Sequence, residues 1–294
     1  PLEGTVDWEG EIGDLWALVP AVGHVLDGRA KIDLRVGGTL EAPSVSGGVA
    51  VTGGQYQNVD AGTILTGLTL TTSVGDGGPI RVALDASDGA NGTVTARADL
   101  RLRGTPSIDM TAKIDHATLV RRDDAWAKMS GDLALAGPFT DLVARGRIMI
   151  NKAEVRLIGG APPRLVELDG IRIKGEPEPE VDEGPAHTVT LDLGIVAPGN
   201  IFVRGRGLES EWKMDLAVKG DATEPVVTGA IEKVRGTLDL IGRPFDLTKG
   251  TVTFDGGREV ECEFARMVAD LTERPWLADG TVSAADLVTY PTLA

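Results

Sequence analysis

Residues Val234 to Gly256 read VRGTLDLIGRPFDLTKGTVTFDG. Three short runs inside this stretch, Thr237 to Leu240, Pro244 to Leu247 and Thr251 to Phe254, place an apolar residue or threonine at every second position. On an extended backbone, alternate side chains point to opposite faces. Leu238 and Leu240 therefore share one face, and so do Val252 and Phe254. Asp239, Thr251 and Thr253 face the other way. Gly242-Arg243 and Lys249-Gly250 punctuate the runs. Such short links leave no room for crossover helices, so the spacing predicts neighbouring strands in an antiparallel meander.

The same alternation continues outward through most of the chain. Ile32, Leu34 and Val36 alternate, as do Val49 and Val51, Leu68, Leu70 and Val74, and Ile80, Val82 and Leu84. Val94 to Leu102, Ile108 to Ile114, Leu133 and Leu135, Ile148 and Ile150, and Val155 and Leu157 follow. Beyond them come Val189 to Leu193, Ile201 and Val203, and Trp212 to Val218. Gly53-Gly54, Asp76-Gly77-Gly78, Asp88-Gly89 and Asn91-Gly92 supply turns. One stretch breaks the period. Asp14 to Leu26 places Leu15, Leu18, Val19, Val22, Val25 and Leu26 at helical spacing, with Asp14 as N-cap and Pro20 as an interruption. A repeat is also visible. Residues 36–47, 135–146 and 218–229 each hold two glycines nine apart: Gly38 and Gly47, Gly137 and Gly146, Gly220 and Gly229. Each copy ends one strand and begins another.

A run of alternating strands this long must hide one apolar face. The inward sets are nearly all Val, Leu, Ile and Ala, and 12 of the 294 residues are aromatic. That suits a smooth aliphatic lining better than a ring-filled sandwich core. The fold expected is mainly β: an elongated, curled antiparallel sheet, a β-taco or half-pipe, with an aliphatic interior and one short helix near the N-terminus. Some sixteen strands at about 4.8 Å spacing would make a sheet about 75 Å long. The divisions expected are a short strand and capping helix (1–30), the curled sheet (31–258) with an acidic loop (175–186), and an atypical tail (259–294). Leu216, Val218, Leu238, Leu240, Val252 and Phe254, with Val49, Val51, Leu68 and Leu70, are the candidate groove lining. Trp212 is read as an anchor at a strand end, and Asp246 and Asp255 as turn caps.

Composition excludes several functions. Asp and Glu (44) outnumber Lys and Arg (29), a net charge of −15. That argues against nucleic acid and against docking on an anionic lipid surface by bulk charge. The single cysteine, Cys262, forms no intrachain disulfide, and the three histidines are scattered, so no metal or cofactor site is expected. The oxygens of Asp88 to Gly92 lack the spacing of a calcium loop and suit a hairpin turn. No nucleophile, phosphate-binding or metalloprotease motif appears, and no acidic pair is grouped as a glycosidase would need. The chain is read as non-enzymatic.

Pro198 to Trp212, PGNIFVRGRGLESEW, together with VRGTLDLIGRPFDLTKGTVTFDG, resembles two signatures near the end of the TamB family. These are translocation and assembly module subunits of Gram-negative bacteria, grouped with AsmA-like bridge proteins. The resemblance is specific over 198–257 and looser over 31–197. After the VTFDGG signature, residues 258–294 depart from the family pattern. What the resemblance implies is a periplasmic body with an inner-membrane anchor outside this stretch, the chain being a piece of a longer protein that begins here at Pro1. It implies a β-taco with a hydrophobic interior, phospholipid acyl chains as cargo, a TamA-like outer-membrane assembly barrel as partner, and a part in assembling outer-membrane proteins and autotransporters. Arg204 and Arg206 are candidate headgroup contacts, or partners of cross-strand acids. The alternative is a β-rich surface adhesin or autotransporter passenger. A solenoid of that kind repeats every 20 to 30 residues, and the repeat here is far longer.

Overall fold

The alternating stretches hydrogen-bond edge to edge into one open, curled sheet. The structure, a computed structural model, describes residues 3–17, 21–39, 43–74, 78–157, 188–240, 242–257 and 260–262. Strand β1 (Gly4–Glu11) leads into helix α1 (Ile12–Trp16). There follow β2 (His24–Gly38), β3 (Pro43–Asn58), β4 (Thr63–Val74), β5 (Ile80–Ser87) and β6 (Thr93–Arg101). Next come β7 (Ser107–Arg121), β8 (Ala125–Pro138) and β9 (Asp141–Arg156). The remainder is β10 (Thr188–Gly205), β11 (Leu208–Asp221), β12 (Val226–Leu240), β13 (Arg243–Asp246), β14 (Thr251–Asp255) and β15 (Val260–Cys262). Strands adjacent in sequence are adjacent in the sheet, save that β14 lies beside β12. Fourteen positions across give a sheet about 60 Å long. The acidic loop 175–186 and most of the tail lie outside the described residues.

One pair departs from the antiparallel expectation. β9 and β10 are parallel, with Leu193 opposite Gly146 and Ile195 opposite Ile148. The 31 residues between Arg156 and Thr188 are ample for the crossover a parallel pair requires. The expected three-strand meander is also corrected. β13 and β14 both pair with β12 and not with each other. Between them the Leu247 N–H donates to the Gly236 carbonyl (2.9 Å) and the Lys233 N–H to the Gly250 carbonyl (2.8 Å). Residues 243–255 thus run as one interrupted strand along β12. Lys249-Gly250 is not a turn. Gly250 is small because a Cβ there would lie 2.9 Å from the Trp212 ring.

Register shifts break most of the long strands: at Asp27/Arg29, Val51/Gly54, Ile114/Ala117, Lys128/Met129, Val196/Ile201 and Glu211/Trp212. Traced through cross-strand partners, they fall on one line slanting across the sheet. An extra residue bends its strand and sharpens its twist, so aligned bulges make a crease. His116 (φ 49°) and Asn200 (φ 63°) take left-handed conformations on this line. Buried apolar residues follow it as well: Ala30, Val51, Leu68, Ala86, Ile114, Ala117, Ala127, Ala153, Ala197 and Trp212. Six of these ten are alanine, since the inside of a bend has room for little else. No large side chain is fully buried among the described residues.

The helix is shorter than expected. It ends at Trp16, Glu11 rather than Asp14 holds the N-cap position, and Val25 and Leu26 belong to β2. Gly23 (φ 78°) takes a conformation no helix continues through, and the pairing of His24 with Asn58 draws the chain into the sheet. Val22 is 93% exposed; Leu18, Val19 and Pro20 lie outside the described residues. Ile12, Trp8, Leu26 and Tyr56 pack on Ala30, Val51, Leu65, Leu68 and Ala86, closing the aliphatic face at this end.

β5 and β6 stop at the crease, while β4 and β7 run past it and meet. The Thr63 hydroxyl donates to the Leu119 carbonyl, and the Arg121 N–H to the Ala61 carbonyl (2.9 Å). Asp88, in the turn between β5 and β6, locks this junction. Its buried carboxylate accepts N–H bonds from Ala90 (3.0 Å), Gly92 (2.8 Å) and Thr118 (2.9 Å), with Arg121 Nη2 at 3.6 Å. Those donors occupy the oxygens, as the hairpin reading of 88–92 expects. Burial pushes the Asp88 pKa up, but the three backbone N–H bonds and the Thr118 hydroxyl outweigh it and hold it down at about 2, from 3.8. A lowered folded pKa contributes stability above the unfolded value, here about 2 kcal/mol, which disappears as pH falls from about 4 through about 2. Asp88→Ala should cost about 3 kcal/mol at pH 7, because three buried N–H groups lose their acceptor. Urea denaturation should show that gap narrowing by about 2 kcal/mol between pH 7 and pH 2. A gap independent of pH would mean that Asp88 contributes by packing alone.

Candidate functional site

Directly paired residues in a sheet share a face, so register defines rows across it. One row runs Gly10, Ala30, Val51, Leu70, Leu84, Ala96, Ala112, Leu133, Gly146, Leu193, Val218, Val227. It crosses twelve strands without one polar side chain. A parallel row runs Ala86, Val94, Ile114, Gly131, Ile148, Ile195, Leu216, Gly229, Phe254. From β4 onward the large members of both rows are half-buried, save Ile114, which is buried at the crease. A packed core would bury them, and no element among the described residues forms a second layer over this face. The reading of a closed interior applies only to the cluster at the N-terminal end.

The structure brings most candidate lining residues together on this face. Leu216 and Val218 lie on β11, with Val252 and Phe254 two strands away and opposite Ile231 and Gly229. Leu238 sits beyond the crease between Leu208 and Phe245. The Leu240 side chain is outside the described set. Val49 and Leu70 are half-buried, whereas Val51 and Leu68 belong to the packed N-terminal cluster. Trp212 is buried in mid-strand, not at an end, and donates to Ser210 Oγ (2.8 Å). Asp255 caps the turn before Gly257 (2.8 Å), while Asp239 rather than Asp246 caps the β12–β13 turn at Gly242 (2.8 Å).

The three repeat copies are β2–β3, β8–β9 and β11–β12 hairpins. All six repeat glycines have positive φ, from 90° to 156°. The second glycine of each copy lies under the carbonyl of an aspartate on the partner strand. A Cβ would stand 2.1 Å from the Asp33 oxygen at Gly47, 2.3 Å from Asp132 at Gly146 and 2.2 Å from Asp215 at Gly229. The full motif therefore begins earlier, at Asp33-Leu34, Asp132-Leu133 and Asp215-Leu216. Aligning the copies a few residues upstream would have shown it.

The opposite face is laced with ion pairs: Arg97–Asp85 (3.3 Å), Lys213–Glu232 (2.8 Å), Lys219–Asp192 (3.7 Å) and Arg235–Glu211. Arg204 belongs to it, pairing with Glu154 (3.3 Å) and lying 5.4 Å from the Phe202 ring centroid. The Arg156 hydrogen bond, with the nearby Arg204 charge, lowers the Glu154 pKa. The Asn200 N–H, then Arg235, lower that of Glu211. Arg206 stands in the β10–β11 turn with φ 52°. A concavity of about 730 Å³ also opens on this polar face, between Asp132, Arg147, Met149, Val196 and Lys213. Lys233, opposite Trp212 on the aliphatic side, donates to the Leu247 carbonyl.

Residues 81–262 match the TamB C-terminal domain family. The chain belongs to the TamB family. The match spans β5 to β15 and so includes the parallel junction and the last two repeat copies. No curated protein and no solved structure matches the chain. Membership carries a role in the translocation and assembly module, within a family that is periplasmic, anchored in the inner membrane and not known for enzymatic activity. No helix among the described residues is long and apolar enough to cross a membrane.

An open face and a packed cluster respond differently to truncation. Leu68→Ala, in the cluster, should cost about 3 kcal/mol. Leu193→Ala, in the open row, should cost about 1 kcal/mol, because its side chain is already partly in water. Equal losses in chemical denaturation would show that the face is covered.

Proposed function

We propose that this TamB chain shields phospholipid acyl chains on its aliphatic face during transfer between inner and outer membranes. The uninterrupted apolar row from β1 to β12, half-buried beyond the N-terminal cluster, carries this reading. Burial of a methylene contributes about 0.8 kcal/mol. A sixteen-carbon chain fully buried would gain about 13 kcal/mol, and about half of that with one side in water. Binding is then tight enough to extract a chain from water and spread over a face with no single deep well, so a chain can advance row by row. Direction comes from the ends of the path.

The same body would serve outer-membrane protein assembly. β1 and β13 each have one strand neighbour in the sheet. Such edges present backbone donors and acceptors on which a TamA-like barrel or a nascent strand can add by β-augmentation. Apart from the parallel β9–β10 pair, the described strands follow one another as antiparallel neighbours and do not stack as the rungs of a solenoid adhesin.

Native mass spectrometry of the purified chain tests the lipid reading. Phospholipid should co-purify or be taken up from micelles, and Leu193→Asp with Leu216→Asp should abolish it while circular dichroism stays unchanged. A wild type that neither carries nor accepts phospholipid would overturn the reading.

A further inference from the structure

Like charges directly opposite on neighbouring strands repel, and the polar face carries two such cationic pairs side by side. Lys128 lies opposite Lys152 across β8–β9, and Arg156 opposite Arg204 across β9–β10. Glu154 bonds to Arg156 (3.1 Å) and to Arg204 (3.3 Å), and Glu209 lies opposite Arg204 on β11. Lys152 and Arg204 flank the half-buried Phe202 ring at 5.9 Å and 5.4 Å from its centroid. Lys128 has no ionic partner among the described residues. Trp126 is opposite Glu154, one strand over, and is also half-buried. In a chain of net charge −15, this end of β8–β10 is thus locally cationic with two aromatic rings set among the charges.

We propose that this patch docks the protein on the phosphate headgroup layer of an anionic bilayer. Two lysines, Lys128 and Lys152, that form no ion pair among the described residues, beside arginines that outnumber the glutamate they share, suit a diffuse array of phosphates better than one discrete partner. Trp and Phe among Lys and Arg is the composition that settles at a membrane–water interface. The overall negative charge repels such a surface, so only this end approaches within a Debye length, about 8 Å at physiological salt. Docking is therefore oriented. It uses the face opposite the aliphatic rows and stands whether or not those rows carry lipid.

Co-sedimentation of the whole chain with vesicles tests this. Binding should occur with phosphatidylcholine–phosphatidylglycerol vesicles, be absent with phosphatidylcholine alone, and fall with salt. Lys128→Glu with Lys152→Glu should weaken it about tenfold or more. Lys31→Glu with Lys113→Glu, the same charge change elsewhere on the polar face, should leave most of it. Thermal melts confirm that both variants fold, and native mass spectrometry of the Lys128/Lys152 variant reads the aliphatic face separately. Equal binding to both vesicle types, no binding, or equal loss in the two variants would overturn the proposal. So would intact vesicle binding in the Lys128/Lys152 variant beside lost binding to a TamA-like soluble domain.

Discussion

The crease is the constraint on which the rest of this structure depends. A long, regular strand lies nearly straight, and a sheet of such strands would present a flat apolar face to water. Aligned bulges bend the strands along one line, and the small residues inside the bend let the two limbs approach. Ala30 and Ala117 have no exposed surface. The burial a sandwich would distribute through its core is concentrated in a narrow seam. Where β5 and β6 are too short to reach past the seam, β4 and β7 join over them and Asp88 holds the junction. That contact keeps the wall beyond the crease continuous.

An open aliphatic face is an aggregation hazard unless something limits access to it. Here the polar face carries the charge, and most of its ion pairs are exposed cross-strand contacts that each contribute little to stability. They favour one face over the other for water. The ladders between strands, with the narrow seam and the N-terminal cluster, hold the sheet together, so the rows beyond them can stay half wet.

Much of this was legible in the sequence. Alternation alone marked most strands and chose which residues share a face, and the low aromatic content pointed to an aliphatic lining. The glycine spacing found a real hairpin unit. What failed did so for several physical reasons, bulges first among them. Asn151 and the stretch Pro198 to Asn200 shift the phase of the alternation, so β9 and β10 each looked like two strands. Lys249-Gly250 looked like a turn because glycine also serves where a tryptophan ring presses on the backbone. The crease itself was hidden, since an alanine in an aliphatic row carries no sign that it lies inside a bend. The helix was overextended because Val22, Val25 and Leu26 keep helical spacing by coincidence with a strand that begins at His24.

The repeat links the two levels. In each copy a glycine removes a side chain from the aliphatic face at the point where an aspartate carbonyl presses on it from the partner strand. Gly146 stands between Leu133 and Leu193, and Gly229 between Leu216 and Phe254. The requirement that selects glycine is backbone geometry, since positive φ and a carbonyl at about 2 Å from a would-be Cβ exclude every other residue. The consequence falls on the surface: the apolar rows pass over bare backbone at these hairpins. The local coiling that lets a hairpin curl and the smoothness of the face it lines are therefore set by the same atom that is missing.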